Sequence, residues 1–341
     1  MPKLASHDPD RSPAGSALKR AWLLVGLVVG LAIAGSAGAL AYDWLFRPGV
    51  SALRVIELPP ADSAEGLQLT WLGVSTLVIS DGETQLLTDP FVSRPSLSTV
   101  LLNQRLQPDE AAVKSWVERL GLQNLNAMLV GHSHYDHIQD VGAFGRNTRA
   151  MLIGSATSIQ IGLGHGIPGE RTLQIQPGEP IHIGEFEVLF IESRHAGATG
   201  GRPLGDVESP LQPPARASDY KQGGSYSILF RHPQGTLLYH GSAGFVAGAL
   251  APYSADVVLL GIALLPDLDT YLREVVDAVG AHTVLPVHWD DFTRPLEAPL
   301  EPLPFIVDIP AFLDQTRALR PELQIRSLPL GVPVMMPTAP D

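Results

Sequence analysis

His132-Ser133-His134-Tyr135-Asp136-His137 is the stretch on which the reading of this sequence turns. It follows a short apolar run, residues 126–130, which ends at Gly131 and reads as a buried strand. Imidazoles and a carboxylate thus collect at a strand's carboxyl end. Neutral imidazole and carboxylate together suit Zn2+, with Mn or Fe as alternatives. His132 and His134 are two apart, so extended backbone puts their side chains on one side, while Asp136 and His137 lie past the bend and can face a second metal. So few neighbouring ligands cannot saturate two metals, and others must come from elsewhere. His195 and His288 each follow an apolar run (186–191 and 283–287) where a strand would end.

Composition narrows the field. The chain has 341 residues, enough for a substantial core, and 23 Lys+Arg against 35 Asp+Glu give a net charge of -12. That balance argues against gripping nucleic acid through its phosphates. A small anionic substrate stays compatible, since a bound metal outweighs the global field locally. The absence of cysteine excludes disulfide scaffolds, Cys-based zinc sites and thiol nucleophiles. No G-x-S-x-G elbow is present either.

Residues 21–42 carry no charge and would span roughly 33 Å as a helix, close to the thickness of a bilayer's hydrocarbon core. Lys19 and Arg20 precede this run, so the positive-inside rule keeps residues 1–20 in the cytoplasm as a leader and sends the rest across. A retained anchor, with Trp22 and Trp44 at the interfaces, is the preferred reading. A signal peptide cleaved near Ala41, at Ala39-Leu40-Ala41, is the alternative. Either way the main domain lies outside the cytoplasm, in the periplasm of a bacterium.

Residues 43–66, with Pro48, Pro59 and Pro60, read as a linker, and residues 67–337 as one domain. Strands are expected at 67–72, 76–79 and 85–88, with Asp81-Gly82 as a hairpin turn, and later at 226–230, 237–239 and 257–260. Residues 109–120 have helical spacing, with Asp109 as N-cap and Ala112, Trp116 and Leu120 on one face. Further helices are expected at 270–279 and 310–319. Hairpins followed by strand–helix alternation indicate sheets covered by helices in one α/β domain. The Gly- and Pro-rich stretch 196–224 directly follows His195 and either covers the site or is a surface insertion.

The chain resembles the metallo-β-lactamase-fold hydrolases, whose signature is the H-x-H-x-D-H run. Within them it is similar to the branch that contains N-acylphosphatidylethanolamine phospholipase D and L-ascorbate-6-phosphate lactonase. The branch features are Trp71-Leu72-Gly73 with Ser75-Thr76, then Thr88-Asp89-Pro90, and His288-Trp289-Asp290-Asp291-Phe292. The resemblance implies an αββα sandwich. It implies that His132, His134 and His195 hold one metal, that Asp136, His137 and His288 hold a second, and that Asp89 supports the histidine loop. One or two Zn2+ would then generate hydroxide near neutral pH, with Asp136 orienting it. The expected substrate is an ester, lactone, amide or phosphodiester on a small molecule or a lipid headgroup.

One stretch departs from the family. Where most members have an Asp that bridges both metals, this chain has Ser242 within His240-Gly241-Ser242-Ala243-Gly244. If the strand stays extended, His240 faces the metals with Ser242 and could compensate; a packed strand histidine is the simpler reading. The missing Asp keeps two alternatives open, a β-lactamase-type amide hydrolase and a non-catalytic metal-binding or sensing domain. Tyr135 reads as shaping the loop, Trp289 and Phe292 as packing, and Arg194, Arg202 and Lys221 as solvated charges. His165, His182, His232 and His282 have no partner motif.

Overall fold

The computed structural model describes residues 13–47, 49–63, 65–197 and 201–338, in two compact units that divide between Arg47 and Pro48. Among the described residues, the first unit carries one helix, Pro13–Phe46, whose apolar window Lys19–Gly38 has a mean hydropathy of 2.0. By length and composition this helix can cross a membrane. His7 and most of the leader lie outside the described residues, as does Pro48.

The second unit is built on two seven-stranded sheets. In chain order the strands of the first half are β1 (Gln68–Trp71), β2 (Leu77–Ser80), β3 (Gln85–Thr88), β4 (Arg105–Leu106), β5 (Ala127–Leu129), β6 (Met151–Gly154) and β7 (Thr172–Gln174). Those of the second half are β8 (Pro180–Ile183), β9 (Phe186–Glu192), β10 (Ala215–Arg216), β11 (Tyr226–His232), β12 (Gly235–His240), β13 (Val257–Gly261), β14 (Thr283–Val287), β15 (Gln324–Ile325) and β16 (Val334–Met335). The sheets run β16-β1-β2-β3-β5-β6-β7 and β15-β14-β13-β12-β11-β9-β8, with β10-β4 as a separate ribbon. Each sheet begins as an antiparallel meander and continues in parallel strands. Strands β3 and β5 therefore point the same way, as do β9, β12, β13 and β14, and all their carboxyl ends deliver residues to one edge.

Alternation along the strands explains the layers. Leu77, Ile79, Leu86, Ala127 and Leu129 join the cluster shared with the second sheet. Their neighbours Val78, Leu87 and Met128 join a separate cluster under the helices Glu110–Arg119, Val141–Asn147 and Ala156–Gly164. Helix Ile309–Leu319 and the helical segment from Leu268 to Val279, which contains a π-turn, close the other side with Phe312, Tyr271 and Val275. This is the α/β sandwich expected from the sequence.

Two local expectations need correction. The helix after Asp109 does use that residue as N-cap, accepting from Ala111 and Ala112 N–H at 3.0 Å, yet it buries Val113, Trp116 and Val117. Apolar contact follows the i, i+3, i+4 stripe, which leaves Ala112 and Leu120 at its margin. Residues 43–66 are not a linker throughout. The N-terminal helix runs to Phe46, and Val50–Val55 forms a helix that buries Leu53, after which Leu58 N–H donates to the Ser327 carbonyl at 2.9 Å.

Candidate metal centre

The histidine loop is held from three directions. Gly131 N–H donates to Asp89 Oδ1 at 2.7 Å, Ser133 N–H to the Gln222 carbonyl at 2.9 Å, and Ser133 Oγ meets Ser158 Oγ at 2.7 Å. His134, in extended conformation, then precedes the single helical turn Tyr135–Ile138, which presents Asp136 and His137. The partner of Ser133 lies in stretch 196–224, so that stretch is not a detached insertion but part of what shapes the site.

Two ligand sets result. His132, His134 and His195 have donor atoms within 4.8 Å of one another, as do Asp136, His137 and His288. His134 Nδ1 lies 3.2 Å from His195 Nε2, and His137 Nε2 lies 3.2 Å from His288 Nε2. Asp136 Oδ2 is 3.6 Å from both His137 Nε2 and His288 Nε2. The outer nitrogens set the tautomers. His195 Nδ1 donates to the Ala196 carbonyl at 2.8 Å, His134 Nε2 to the Pro203 carbonyl at 3.4 Å, and His137 Nδ1 to Asp89 Oδ2 at 2.6 Å. Lone pairs of His134 and His195 therefore face one another in the first set, and His132 Nε2 and His288 Nδ1 are buried without a hydrogen-bond partner. Facing lone pairs repel unless a cation lies between them, so these residues fit one or two divalent ions.

Asp89 also lies near His132 and His137, but its oxygens are occupied by Gly131 N–H, His137 Nδ1–H and the Tyr239 hydroxyl. Burial raises its pKa and the bonds from Tyr239 and Gly131 oppose that rise. It buttresses the loop.

Burial also sets the charge state of the ligands. Desolvation holds His134 and His288 at about 4 and pushes His132, His137 and His195 downward, so all are neutral near pH 7. Burial raises Asp136 to about 7 and Asp140 to about 6. In the metal-free chain, imidazoles that bind protons near 6.5 when unfolded bind them only at lower pH when folded, at about 4 for His134 and His288. Their contribution to stability is complete above pH 6.5 and is lost as pH falls toward 4. Asp89, Asp136 and Asp140 act in the opposite sense, but the lowered imidazoles outnumber them. Urea midpoints of metal-free protein are expected to fall between pH 7 and pH 4.5; a rising midpoint would contradict these charge states.

The Ser242 region differs from the extended arrangement considered above. Tyr239 reaches Asp89, so alternation turns His240 to the opposite face, where its Nδ1 pairs with Ser227 Oγ at 2.7 Å and its ring packs near Tyr271. His240 is a packed strand histidine and not a metal neighbour. Ser242 lines the cavity, and its Oγ accepts the Ala196 N–H at 3.0 Å while the Ala196 carbonyl accepts from His195. Ser242 thus positions the loop that carries His195. Ser242→Ala is expected to weaken metal binding by about 10-fold, in line with the loss of other groups that orient ligands; competition with a chromogenic chelator measures it, and unchanged affinity would remove this role.

Sequence reasoning passed over several supports. Asp140, three residues beyond His137, accepts Val92 N–H, Ser93 N–H and Ser93 Oγ–H at 2.6 Å each and fixes the turn after Asp89. Arg94 and Asp290 form a buried ion pair at 2.9 Å, and Asp290 Oδ1 accepts Val74 N–H at 2.7 Å. Gly73, at φ +91, is required here because a Cβ would meet Arg94 Nη2 at 1.9 Å. Three non-glycine residues around the centre, Val74, Asp89 and His288, have positive φ of 48, 38 and 55, the strain that accompanies functional sites. His165, His182, His232 and His282 lie in neither ligand set.

Above the ligands opens a cavity of about 800 Å³. His134, Asp136, His195 and His288 form its floor, with Val100, Leu204, Ala263, Leu264, Leu303 and Ile306 on its walls. Tyr135 and Phe292 line it too, so Phe292 is cavity wall as well as packing, against Phe91, Tyr135 and His288. Arg202 and Lys221 also belong to the wall, unlike Arg194. Trp289 is buried against Trp71.

Comparison with known proteins agrees with this geometry. A UPF0173 metal-dependent hydrolase of Halobacterium salinarum is 26% identical over 233 residues, covering 66% of this chain and 84% of the relative. An Escherichia coli protein named "probable L-ascorbate-6-phosphate lactonase" is 23% identical over 215 residues, 55% of each chain. Among solved structures, a metallo hydrolase from Ignicoccus hospitalis shares the fold with a TM-score of 0.51 at 16% identity, over 80% of this chain and 99% of that one. An isothiocyanate hydrolase from Delia radicum gut bacteria does so with a TM-score of 0.51 at 13% identity, over 80% and 100%. Residues 84–289 match the family model described as beta-lactamase superfamily domain. The chain belongs to that family and is a metal-dependent hydrolase of the metallo-β-lactamase superfamily.

Proposed function

We propose that this chain is a membrane-anchored, extracytoplasmic hydrolase that holds two divalent ions, zinc by the character of its donors, and cleaves an ester, lactone, amide or phosphodiester attached to an apolar group. One observation carries the reading: residues of both ligand sets share the floor of a single cavity. His132, His134 and His195 would hold one ion and Asp136, His137 and His288 the other. Bound there, the ions would supply an acidified water and draw electron density from the scissile carbonyl or phosphoryl oxygen.

The chain's own residues do the rest. Asp136 faces the cavity and can orient an attacking water through its carboxylate. Arg202 and Lys221, which form no ion pair among the described residues, offer charge to an anionic group. The leucine and isoleucine side chains exclude water from an apolar substituent. Membrane attachment is supported by the apolar helix and by Lys19 and Arg20 at its start; cleavage near Ala41 would leave the same domain on the same side.

Elemental analysis of the full chain, purified without chelator, tests this. About two equivalents of metal per chain are expected, with hydrolysis in a screen of phosphodiester, lactone and lactam substrates. One equivalent would reduce the centre to His132, His134 and His195. None after zinc is restored would turn the reading to a binding module.

A further inference from the structure

We propose that the mouth of the cavity docks on a lipid bilayer, so that the hydrolase takes an amphiphilic substrate directly from that surface. The proposal rests on the hydrolytic reading of the site and on the N-terminal helix as an anchor. Leu204, Leu264 and Ile306 line the cavity and are 51%, 44% and 41% exposed. Leu101 and Leu102, which follow the cavity residue Val100, are 73% and 67% exposed. Large apolar side chains left in water around one opening mark an interaction surface.

The point where the chain enters the domain selects the bilayer as the partner. Gly49 packs against helix Ile309–Leu319 so closely that a Cβ on it would lie 2.7 Å from Ile309 Cβ and 2.8 Å from Pro310 Cδ. Ile306, in the cavity wall, is three residues before Ile309, at most about 11 Å along the chain. Only Arg47 and Pro48 separate Gly49 from the end of the apolar helix at Phe46. The first residues of the domain therefore pack close to the cavity wall, and in sequence two residues join them to the segment proposed as the anchor. Charge agrees with an apolar mode of docking. A domain in a chain of net charge -12 is repelled by anionic lipid as a whole, so burial of the leucine collar must provide the attraction. Arg202 and Lys221, in the cavity wall, would then meet the phosphate layer of the headgroups.

The chain contains no cysteine, so single labels can be placed cleanly. Leu102→Cys, Leu204→Cys, Val28→Cys and Leu173→Cys, each in the full chain, carry an environment-sensitive fluorophore in phosphatidylcholine vesicles containing spin-labelled lipid. Leu173 is an exposed control on β7 that does not line the cavity. Labels at 28, 102 and 204 are expected to be quenched at least twofold more than the label at 173. Quenching at 28 alone would leave the anchor standing and overturn the docked mouth. Protection of 102 and 204 from aqueous iodide without lipid quenching would mean that protein covers the collar, and would also overturn it. No quenching at 28 would remove the bilayer altogether, and equal quenching at all four positions would mean unspecific adsorption. The readout is position and not turnover, so failure of the hydrolytic reading is registered separately, by metal content.

Discussion

His134→Ala is expected to abolish hydrolysis and to leave the first metal position unfilled. The substitution removes the Nδ1 lone pair that lies 3.2 Å from His195 Nε2, reducing a three-histidine set to two. It also removes the Nε2–H that holds the Pro203 carbonyl, and with it a support of the cavity wall that carries Leu204. Loss of a direct ligand should exceed the ~10–100-fold loss of affinity that follows removal of an orienting partner. The side chain borders the cavity rather than filling a core, so the fold should persist. Metal content, hydrolysis and circular dichroism measured together decide the matter. A folded variant with full activity would reject the assignment of this histidine.

Asp290→Ala should have the largest effect on stability. Its carboxylate and the Arg94 guanidinium are 2% and 3% exposed, and no other acid is seen to pair with Arg94 among the described residues. Removing one partner leaves a buried uncompensated charge, which costs about 3–5 kcal/mol. The damage should reach the metal centre as well. Asp290 Oδ1 holds Val74 N–H, and the Val74 carbonyl accepts His288 N–H at 2.7 Å and Trp71 Nε1–H at 3.0 Å. That closed circuit keeps His288 at its strained φ of 55. Urea unfolding should therefore show a lower midpoint, and metal titration a weakened second position. An unchanged midpoint would mean that the ion pair contributes nothing net.

Both expectations bear on how far sequence and structure each reach. The ligand types were legible because His132, His134, Asp136 and His137 are neighbours in the chain, and local spacing alone states their chemistry. His195 and His288 were legible through the family resemblance, since the apolar run that precedes each also precedes His232 and His240. The strands β3 and β14 could be read at their observed bounds because Gln85–Thr88 and Thr283–Val287 are bounded apolar segments.

The direction of each side chain on the second sheet was not legible. The last four residues of β12 are all buried, so its sequence carries no alternation to show which face meets the other sheet. Only the packed sheets decide that Tyr239 reaches Asp89 and that His240 turns away. The same holds for pairs far apart in sequence, such as Arg94 with Asp290, and for Ser242, whose small hydroxyl positions the His195 loop. The sequence by itself determined the ligand types of the histidine loop, because residue identity is local. The tertiary structure alone decided which residues hold those ligands in place, because burial and long-range hydrogen bonds exist only once both sheets have closed on each other.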